Sequence, residues 1–215
     1  MILIRKGSCP KSWRTFARTP GAAFTSAPKD DLRASLIREQ GFICAYCMRR
    51  IELGVDVNGA SRTRIEHIKV ETKSLNEGHP EETLDYSNMV LCCSGESSGQ
   101  RHCDLNRRDR DLRLSPLAIT DMENIRYSSK DGTIKSNDSM ADCDLNEVLN
   151  LNNPVLKANR SAVLGEIIRQ MNAAKWARSK MVAALAEYEN VDQDSRKHPF
   201  CGITVWFLKK RLQRL

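Results

Sequence analysis

The chain has 215 residues, of which 40% are hydrophobic, enough for one domain with a core or one domain with an appendage. It contains no apolar stretch of about eighteen residues, and its charged start leaves no room for a signal-peptide apolar region, so we expect a cytoplasmic protein with no membrane partner. The formal net charge of +7 favours a polyanionic partner such as nucleic acid.

The N-terminal half predicts short elements. Residues 1–27 contain two prolines and scattered aromatic side chains, and are predicted to form an irregular arm that packs on another surface. A helix is predicted to start at Pro28, which suits a first helical turn, and to end at Gly41. The pieces FICAYC and TRIEHIKV predict a hairpin-like knuckle and then a strand, and residues 71–87 predict a polar loop.

The C-terminal half predicts a hairpin and then helices. The run IRYSSKDGTIKS alternates about an Asp131-Gly132 turn, a local signal for a β-hairpin. After Asn153-Pro154 the apolar residues recur at helical spacing, which predicts a long helix or a helix pair. The end, ITVWFLKKRLQRL, predicts a helix packed on the core, with a partner-binding or phosphate-binding tail as the alternative. The predicted α+β fold thus has four parts, residues 1–27, 28–115, 116–154 and 155–215.

Eight cysteines in a chain with no export signal indicate metal ligation rather than disulfides. Cys44 and Cys47 form a Cys-x-x-Cys pair, whose spacing lets two sulfurs take adjacent corners of a tetrahedron. The second pair must come from Cys92, Cys93 and Cys103. Cys93 and Cys103 are preferred, because Cys92 more naturally continues an apolar strand as a small buried residue. A zinc site with four thiolates has no place for water, so its predicted role is to fold the module.

Polar residues between and after the cysteine pairs form a second pattern. Glu66 and His67 are neighbours on a predicted strand, so their side chains are expected to point to opposite faces. Asn88 follows in the segment DYSNM, and Asp104 comes directly after Cys103.

This ordered set resembles the HNH, or ββα-metal, nuclease family in its zinc-bearing form, over about 60 residues. The family pattern commonly runs Asp-His, then Asn-Leu, then Cys-x-x-Cys followed by His or Asn. This chain has Glu66 in place of the Asp, Asp104 in place of the final His or Asn, and nine residues between Cys93 and Cys103.

The resemblance implies a role for each matching residue. His67 would be the general base that activates water, and Asn88 would hold its imidazole in position. Glu66 and Asp104 would bind a catalytic metal, with His102 as the alternative to Asp104. A His with a pKa near neutrality suits the base, and two carboxylates suit Mg²⁺ or Mn²⁺.

Arginines follow the last cysteine. Arg107 and Arg108 are expected to lie on a helix that leans on the nucleic-acid backbone, and a solvated helix of mixed charge is the alternative.

A longer resemblance covers residues 30–165. The segments QGFICAYCMRRI, IEHIKVE, LDYSNMVLCCSG, HCDLNRR and LNLNNPVLKANR are similar to the PtuB family, the HNH subunit of Septu and related retron anti-phage defence systems. This similarity implies a partner, an ABC-type ATPase of the PtuA kind, with a retron reverse transcriptase complex as a further candidate. It also implies that residues 1–27 and the C-terminal helices dock on the ATPase.

Two functions are therefore expected to compete. The first is a metal-dependent HNH endonuclease that hydrolyses phosphodiester bonds, in DNA ahead of RNA. The second is a catalytically inactive, zinc-stabilised nucleic-acid-binding or adaptor subunit.

Overall fold

The computed structural model describes residues 1–214, and these residues combine helices with small sheets. The helices are α1 (Lys11–Ala17), α2 (Asp30–Glu39), α3 (Glu71–Asn76), α4 (Cys103–Arg107), α5 (Ile119–Glu123), α6 (Ser139–Cys143), α7 (Pro154–Ala173), α8 (Arg178–Glu189) and α9 (Cys201–Leu212). The strands are β1 (Thr63–His67), β2 (Met89–Cys93), β3 (Glu96–Ser97), β4 (Gln100–Arg101), β5 (Ile125–Tyr127) and β6 (Ile134–Ser136). The predicted α+β class is confirmed.

Helix α2 forms where the sequence predicts it. Asp30 and Asp31 lie in its first turn and Arg38 in its last, so each charge suits the nearer end of the helix dipole. The buried face consists of Leu32, Leu36 and Ile37. Just past the helix, the side-chain amide of Gln40 donates to the Leu91 carbonyl at 2.8 Å and accepts from the Leu91 N–H at 2.6 Å. This pair of hydrogen bonds joins the end of α2 to strand β2.

Strands β1 and β2 pair antiparallel, with Thr63 opposite Cys93 and Glu66 opposite Val90. Every residue of β2 is buried, and α4 packs against this strand. The strand predicted for TRIEHIKV is therefore present as β1. Together β1, β2 and α4 form the unit on which most of the predicted site residues lie.

Strands β5 and β6 form the hairpin that the Asp131-Gly132 turn predicts, with Ile125 opposite Ser136. Gly132 has φ of +71°, and a Cβ atom at this position would lie 2.4 Å from the Lys157 carbonyl oxygen. Only glycine fits a turn with this conformation and this close contact to α7.

The C-terminal helices also match the prediction of a helix pair. Asn153 caps α7 by accepting the Leu156 N–H at 3.0 Å, and Pro154 takes the first position, where its missing N–H costs nothing. Helices α7, α8 and α9 share a small apolar cluster of Ile167, Met171, Met181, Ala184 and Leu208. Val182, one of the apolar residues of α8, is not part of this cluster and is 48% exposed.

Residues 1–27 are more ordered than predicted. They contain α1 and a 3₁₀ turn at Phe24–Ser26, and Met1, Ile4 and Trp13 are buried in the same core as the β1–β2 unit. Trp13 donates its indole N–H to the Leu84 carbonyl at 2.9 Å. A seven-residue helix has little stability by itself, so this packing, which no local pattern shows, is what maintains α1.

Residues 71–87 are not the continuous loop that their polarity predicts. They contain α3 and 3₁₀ turns at Pro80–Leu84 and Tyr86–Asn88, all too short to give a periodic signal. Among the described residues, no helix has the length and apolarity that crossing a membrane requires.

Candidate metal centre and active site

Four cysteines from three separate segments meet in the core. The sulfurs of Cys44, Cys47, Cys93 and Cys103 all lie within 4.8 Å of one another, and all four residues are buried. Two of the Sγ–Sγ distances are 3.8 Å, too long for a disulfide, whose bond is about 2.05 Å. A tetrahedron with zinc–sulfur bonds of about 2.3 Å has edges of about 3.8 Å. The cluster can therefore hold a metal ion, and its donor set and spacing fit Zn²⁺.

The chain turns sharply at Cys44 and Cys47. The Cys44 N–H donates to the Arg49 carbonyl at 2.9 Å, and the Met48 N–H donates to the Cys44 carbonyl at 3.0 Å. Met48 closes this knuckle with φ of +62°, in the left-handed region. The predicted hairpin-like knuckle is thus confirmed, and both sulfurs of the first pair point inward.

The nine residues between Cys93 and Cys103 form a small hairpin. Cys93 ends β2, the strands β3 and β4 pair, and the chain returns to place Cys103 at the start of α4. Gly95 has φ of +85°, and a Cβ atom there would lie 2.4 Å from the Cβ of Leu105. Because these nine residues fold back as a hairpin, Cys93 and Cys103 remain close together.

The preference for Cys93 over Cys92 is confirmed. Consecutive strand residues point to opposite faces, so Cys93 points to the sulfur cluster and Cys92 does not belong to it. Cys92 lies buried next to the cluster as a small residue of β2, as predicted.

His102 packs against the sulfur cluster and not beside Glu66. Its Nδ1 lies 3.2 Å from the Cys103 sulfur and its Nε2 lies 3.0 Å from the Ser97 hydroxyl. The side chain is fully buried. The alternative in which His102 replaces Asp104 beside Glu66 is therefore not supported by the geometry.

Glu66 and Asp104 lie side by side. Burial and the neighbouring Asp104 carboxyl group raise the pKa of Glu66 to about 8, against the lowering effect of Arg107. Glu66 Oε1 accepts from the Tyr46 hydroxyl at 2.9 Å and from the Arg107 guanidinium. Asp104, with a side chain 13% exposed, is paired with Arg64, which is 48% exposed. Each carboxylate thus has a different arginine partner.

Arg107 is not on the surface predicted to meet nucleic acid. Its side chain is 0% exposed, and its guanidinium donates to the carbonyls of His67 and Ile68 at 2.7 Å each, as well as to Glu66. These contacts fasten α4 to the end of β1, so Arg107 is a structural residue. Arg108 is exposed, as predicted for a residue that meets a partner, but the contact itself stays a prediction.

Removing the Arg107 charge should destabilise the fold strongly. In Arg107→Met the Glu66 carboxyl group and the carbonyls of His67 and Ile68 lose their buried hydrogen-bond donor, and the expected cost is about 3–5 kcal/mol of unfolding free energy, measured by urea denaturation. Arg108→Ala, in the adjacent exposed position, should change that free energy by less than about 0.5 kcal/mol. Equal effects of the two substitutions would contradict the buried ion pair.

His67 is buried at the end of β1, with 6% of its surface exposed. Its Nε2 lies 2.9 Å from the Thr83 carbonyl oxygen, which only accepts, so Nε2 carries the proton and Nδ1 carries the lone pair. Burial lowers the pKa of His67, which keeps the ring neutral near pH 7. The ring of Phe24 packs edge-on against the imidazole, with centroids 4.6 Å apart.

Asn88 does not hold the imidazole. Its side-chain amide donates to the Lys69 carbonyl at 3.0 Å and accepts the Lys69 N–H at 2.8 Å. Both bonds fix the backbone two residues after His67, and the Thr83 carbonyl orients the ring instead. The predicted role of Asn88 is therefore corrected from side-chain to backbone positioning.

Sequence reasoning missed four residues that surround this site. Arg64 could have been found, because it lies two residues before Glu66 and so shares a strand face with it. Thr83, Tyr46 and Phe24 reach the site only through tertiary packing, and Thr83 acts through its carbonyl, which any residue supplies.

No protein-family model matches this chain, and none of the curated proteins matches it. Any assignment of function therefore depends on the two clusters themselves, the four cysteines and the group around His67.

Proposed function

We propose that this protein is a metal-dependent endonuclease of the HNH type that hydrolyses phosphodiester bonds in nucleic acid. The observation that carries the proposal is the state of His67. Its ring is neutral, its proton is on Nε2 and bound to the Thr83 carbonyl, and its Nδ1 lone pair has no protein partner among the described residues. A histidine prepared in this way can accept a proton from water.

The cysteine cluster supports the proposal by supplying a scaffold. All four positions around the ion would be filled by thiolates, so a bound Zn²⁺ has no open place for water or substrate. Zinc would then join the knuckle, the end of β2 and the start of α4. Asp104 lies on α4, and Glu66 and His67 lie on β1, which pairs with β2, so zinc would position the reacting groups without taking part in the reaction.

In the proposed reaction, Nδ1 of His67 accepts a proton from the attacking water. The Nε2–H bond to the Thr83 carbonyl stabilises the imidazolium that results. The water oxygen forms a bond to phosphorus while the bond from phosphorus to the leaving oxygen breaks, and the leaving oxygen takes up a proton from solvent. Asn88 contributes by fixing the backbone at Lys69.

The carboxyl pair has the donor set for a hard divalent cation. Both protein contacts of Glu66 go to Oε1, which leaves Oε2 available, and Asp104 is paired only with the half-exposed Arg64. Two adjoining carboxylates suit Mg²⁺ or Mn²⁺, which when bound would offset negative charge on the phosphate. Arg64, being close to solvent, can exchange Asp104 for that phosphate at little cost.

We also propose that the protein acts within an anti-phage complex with an ABC-type ATPase. The support for this is the resemblance of its motif segments to the PtuB family.

The proposed reaction requires a movement at the site. Phe24 covers the imidazole, and it is held by Trp13, whose ring lies 6.2 Å away and whose N–H is bound at Leu84. Since His67 is buried and Phe24 packs against its ring, a shift of this part of residues 1–27 would widen the access of water to the imidazole. The closed site agrees with a nuclease that is restrained until a partner acts.

Phe24→Ala is accordingly expected to raise the rate of nucleic-acid cleavage several-fold, because the substitution opens a path for water to His67. Phe16→Ala is the matched control, since Phe16 also packs on Trp13, at 6.0 Å, without a contact to His67. Rates are measured on supercoiled plasmid at equal protein and Mg²⁺ concentrations. An unchanged rate for Phe24→Ala, or an equal rise for both variants, would show that Phe24 does not restrain the site.

The direct test of the proposed cation site uses Asp104→Asn. Cleavage of plasmid DNA and of RNA is measured against Mg²⁺ and Mn²⁺ concentration. The variant should need a higher cation concentration and cleave at least tenfold more slowly, because an amide is a weaker cation ligand than a carboxylate. Asp109→Asn, which changes an exposed carboxylate five residues along, should behave as the unsubstituted protein. The proposal fails if both variants cleave alike.

The second candidate function, an inactive zinc-stabilised adaptor or nucleic-acid-binding subunit, is favoured by one observation. Both carboxylates have arginine partners, and His67 is covered. This alternative predicts no cation-dependent cleavage by the unsubstituted chain, alone or with a partner, and no biological effect of Asp104→Asn.

A further inference from the structure

The excess positive charge of this protein lies in one region. Residues 1–150 contain twenty-two Lys and Arg and twenty-two Asp and Glu, so they are neutral overall. Residues 151–215 contain twelve Lys and Arg against five Asp and Glu, which accounts for the whole net charge of +7. The part of the chain with the proposed active site therefore contributes nothing to the net attraction for a polyanion.

Within that region six exposed cations lie at one end of the α8–α9 pair, while Arg196 and Lys197 lie in the connection at the other end. The two helices pack against each other, and the Arg211 guanidinium lies 4.7 Å from the Trp176 ring, which places the end of α9 beside the start of α8. The exposed cations here are Lys175, Arg178, Lys180, Lys210, Arg211 and Arg214, a set named the basic end. None of the six forms an ion pair with a carboxylate among the described residues.

The helix dipoles explain the position of only some cations of the basic end. Cations in the last turn of α9 suit the negative end of its dipole. Arg178 and Lys180 lie in the first turn of α8, at the positive end, and that turn contains no acidic residue. Each such cation is unfavourable there by roughly 0.3–1 kcal/mol. The cations of the basic end repel one another, and two of them lie at the positive end of a helix dipole. A bound anion would offset both unfavourable interactions.

The surroundings of the basic end indicate which polyanion it fits. Trp176 and Trp206 are half-buried, with Arg211 over one ring and Lys210 4.9 Å from the other, so the cations are held in place by aromatic faces. Among the large exposed apolar side chains, Val182 is the nearest in sequence to the basic end. One valine does not provide the apolar face that insertion into a membrane requires. An array of exposed cations with a single exposed apolar neighbour suits the repeating phosphates of nucleic acid.

We propose that the basic end binds the phosphodiester backbone of nucleic acid without reading its sequence. Binding there goes beyond the proposed cleavage, because it requires neither His67 nor a divalent cation. It would hold nucleic acid on the α8–α9 helices while the neutral β1–β2–α4 unit contributes little attraction.

The test is fluorescence anisotropy of a labelled 30-base-pair DNA of arbitrary sequence with the full chain, at several salt concentrations and without added divalent cation. The triple variant Lys210→Ala, Arg211→Ala and Arg214→Ala is expected to bind more than tenfold more weakly at low salt. The slope of log Kd against log salt should fall by about 2–3, since each lost phosphate contact removes about 0.9. Arg178→Ala with Lys180→Ala, on the other helix, should change affinity and slope in the same direction.

The matched control is Lys11→Ala, Arg14→Ala and Arg18→Ala, which removes the same net charge from exposed positions in the neutral region. Affinity within about twofold of the unsubstituted chain is expected for this control. Equal weakening by the two triple variants, or binding only to anionic vesicles or to polyglutamate, would overturn the proposal. Binding is measured without a divalent cation, so it does not depend on cleavage, and a failure of the cleavage proposal is distinguishable from a failure of this one.

Discussion

Cys93→Ala is expected to lose its metal and unfold, whereas Cys92→Ala is expected to keep both metal and fold. The two residues are adjacent in β2 and both are buried, so the substitutions remove the same atoms from similar surroundings. The two side chains point in different directions, since Cys93 belongs to the four-sulfur cluster and Cys92 does not. Any difference between the variants therefore reports on metal binding.

The expected sizes of the two effects are far apart. Structural zinc contributes about 10–16 kcal/mol in small zinc domains, while whole proteins are stable by only about 5–15 kcal/mol. Losing one of four thiolates should therefore leave little folded protein. Cys92→Ala removes one small buried group, at an expected cost of about 1 kcal/mol.

Zinc content by elemental analysis and thermal unfolding by circular dichroism measure both effects. The unsubstituted chain and Cys92→Ala should each contain one zinc per chain and unfold cooperatively. A Cys93→Ala protein that retained one zinc per chain and its melting temperature would show that the cluster is not a metal site.

Sequence patterns predicted the elements whose signals are local. Helix α2 follows from the spacing of its apolar residues, and the β5–β6 hairpin follows from Asp131-Gly132. The members of the cysteine cluster were predicted as well, because Cys-x-x-Cys spacing is a geometric constraint and because Cys92 continues an apolar strand. In each case the deciding information lies within a few residues.

The errors come from burial, which a local pattern does not contain. Arg107 lies in a run of mixed charge that is typical of a solvated helix, yet Glu66 and two carbonyls draw it into the core. Asn88 was placed beside His67 by the order of a motif, but its amide satisfies the backbone of Lys69. Helix α1 was missed because its stability comes from Trp13 and not from its seven residues.

The charge distribution suggests different functions for residues 1–150 and residues 151–215. The neutral region contains the cysteine cluster and His67, and the basic end lies on α8 and α9. If nucleic acid binds at the basic end and is cleaved at His67, it could bind while Phe24 still covers His67. Cleavage would then be controlled at His67 without release of the nucleic acid.

His67→Ala is expected to lower the rate of phosphodiester cleavage by about 10²–10⁴, the usual contribution of a general base. The control is His79→Ala, which removes an exposed histidine twelve residues along the chain. Neither residue belongs to the cysteine cluster, so both variants should retain one zinc per chain and a native circular dichroism spectrum. A loss of activity confined to His67→Ala would then reflect chemistry and not unfolding.

The most direct test of the proposed roles of His67 and zinc is Mg²⁺-dependent plasmid cleavage by His67→Ala, with zinc content determined on the same preparation. We predict a folded protein that contains one zinc and has lost cleavage, beside a His79→Ala protein that cleaves normally. A zinc-loaded His67→Ala protein that cleaves at the unsubstituted rate would contradict the account.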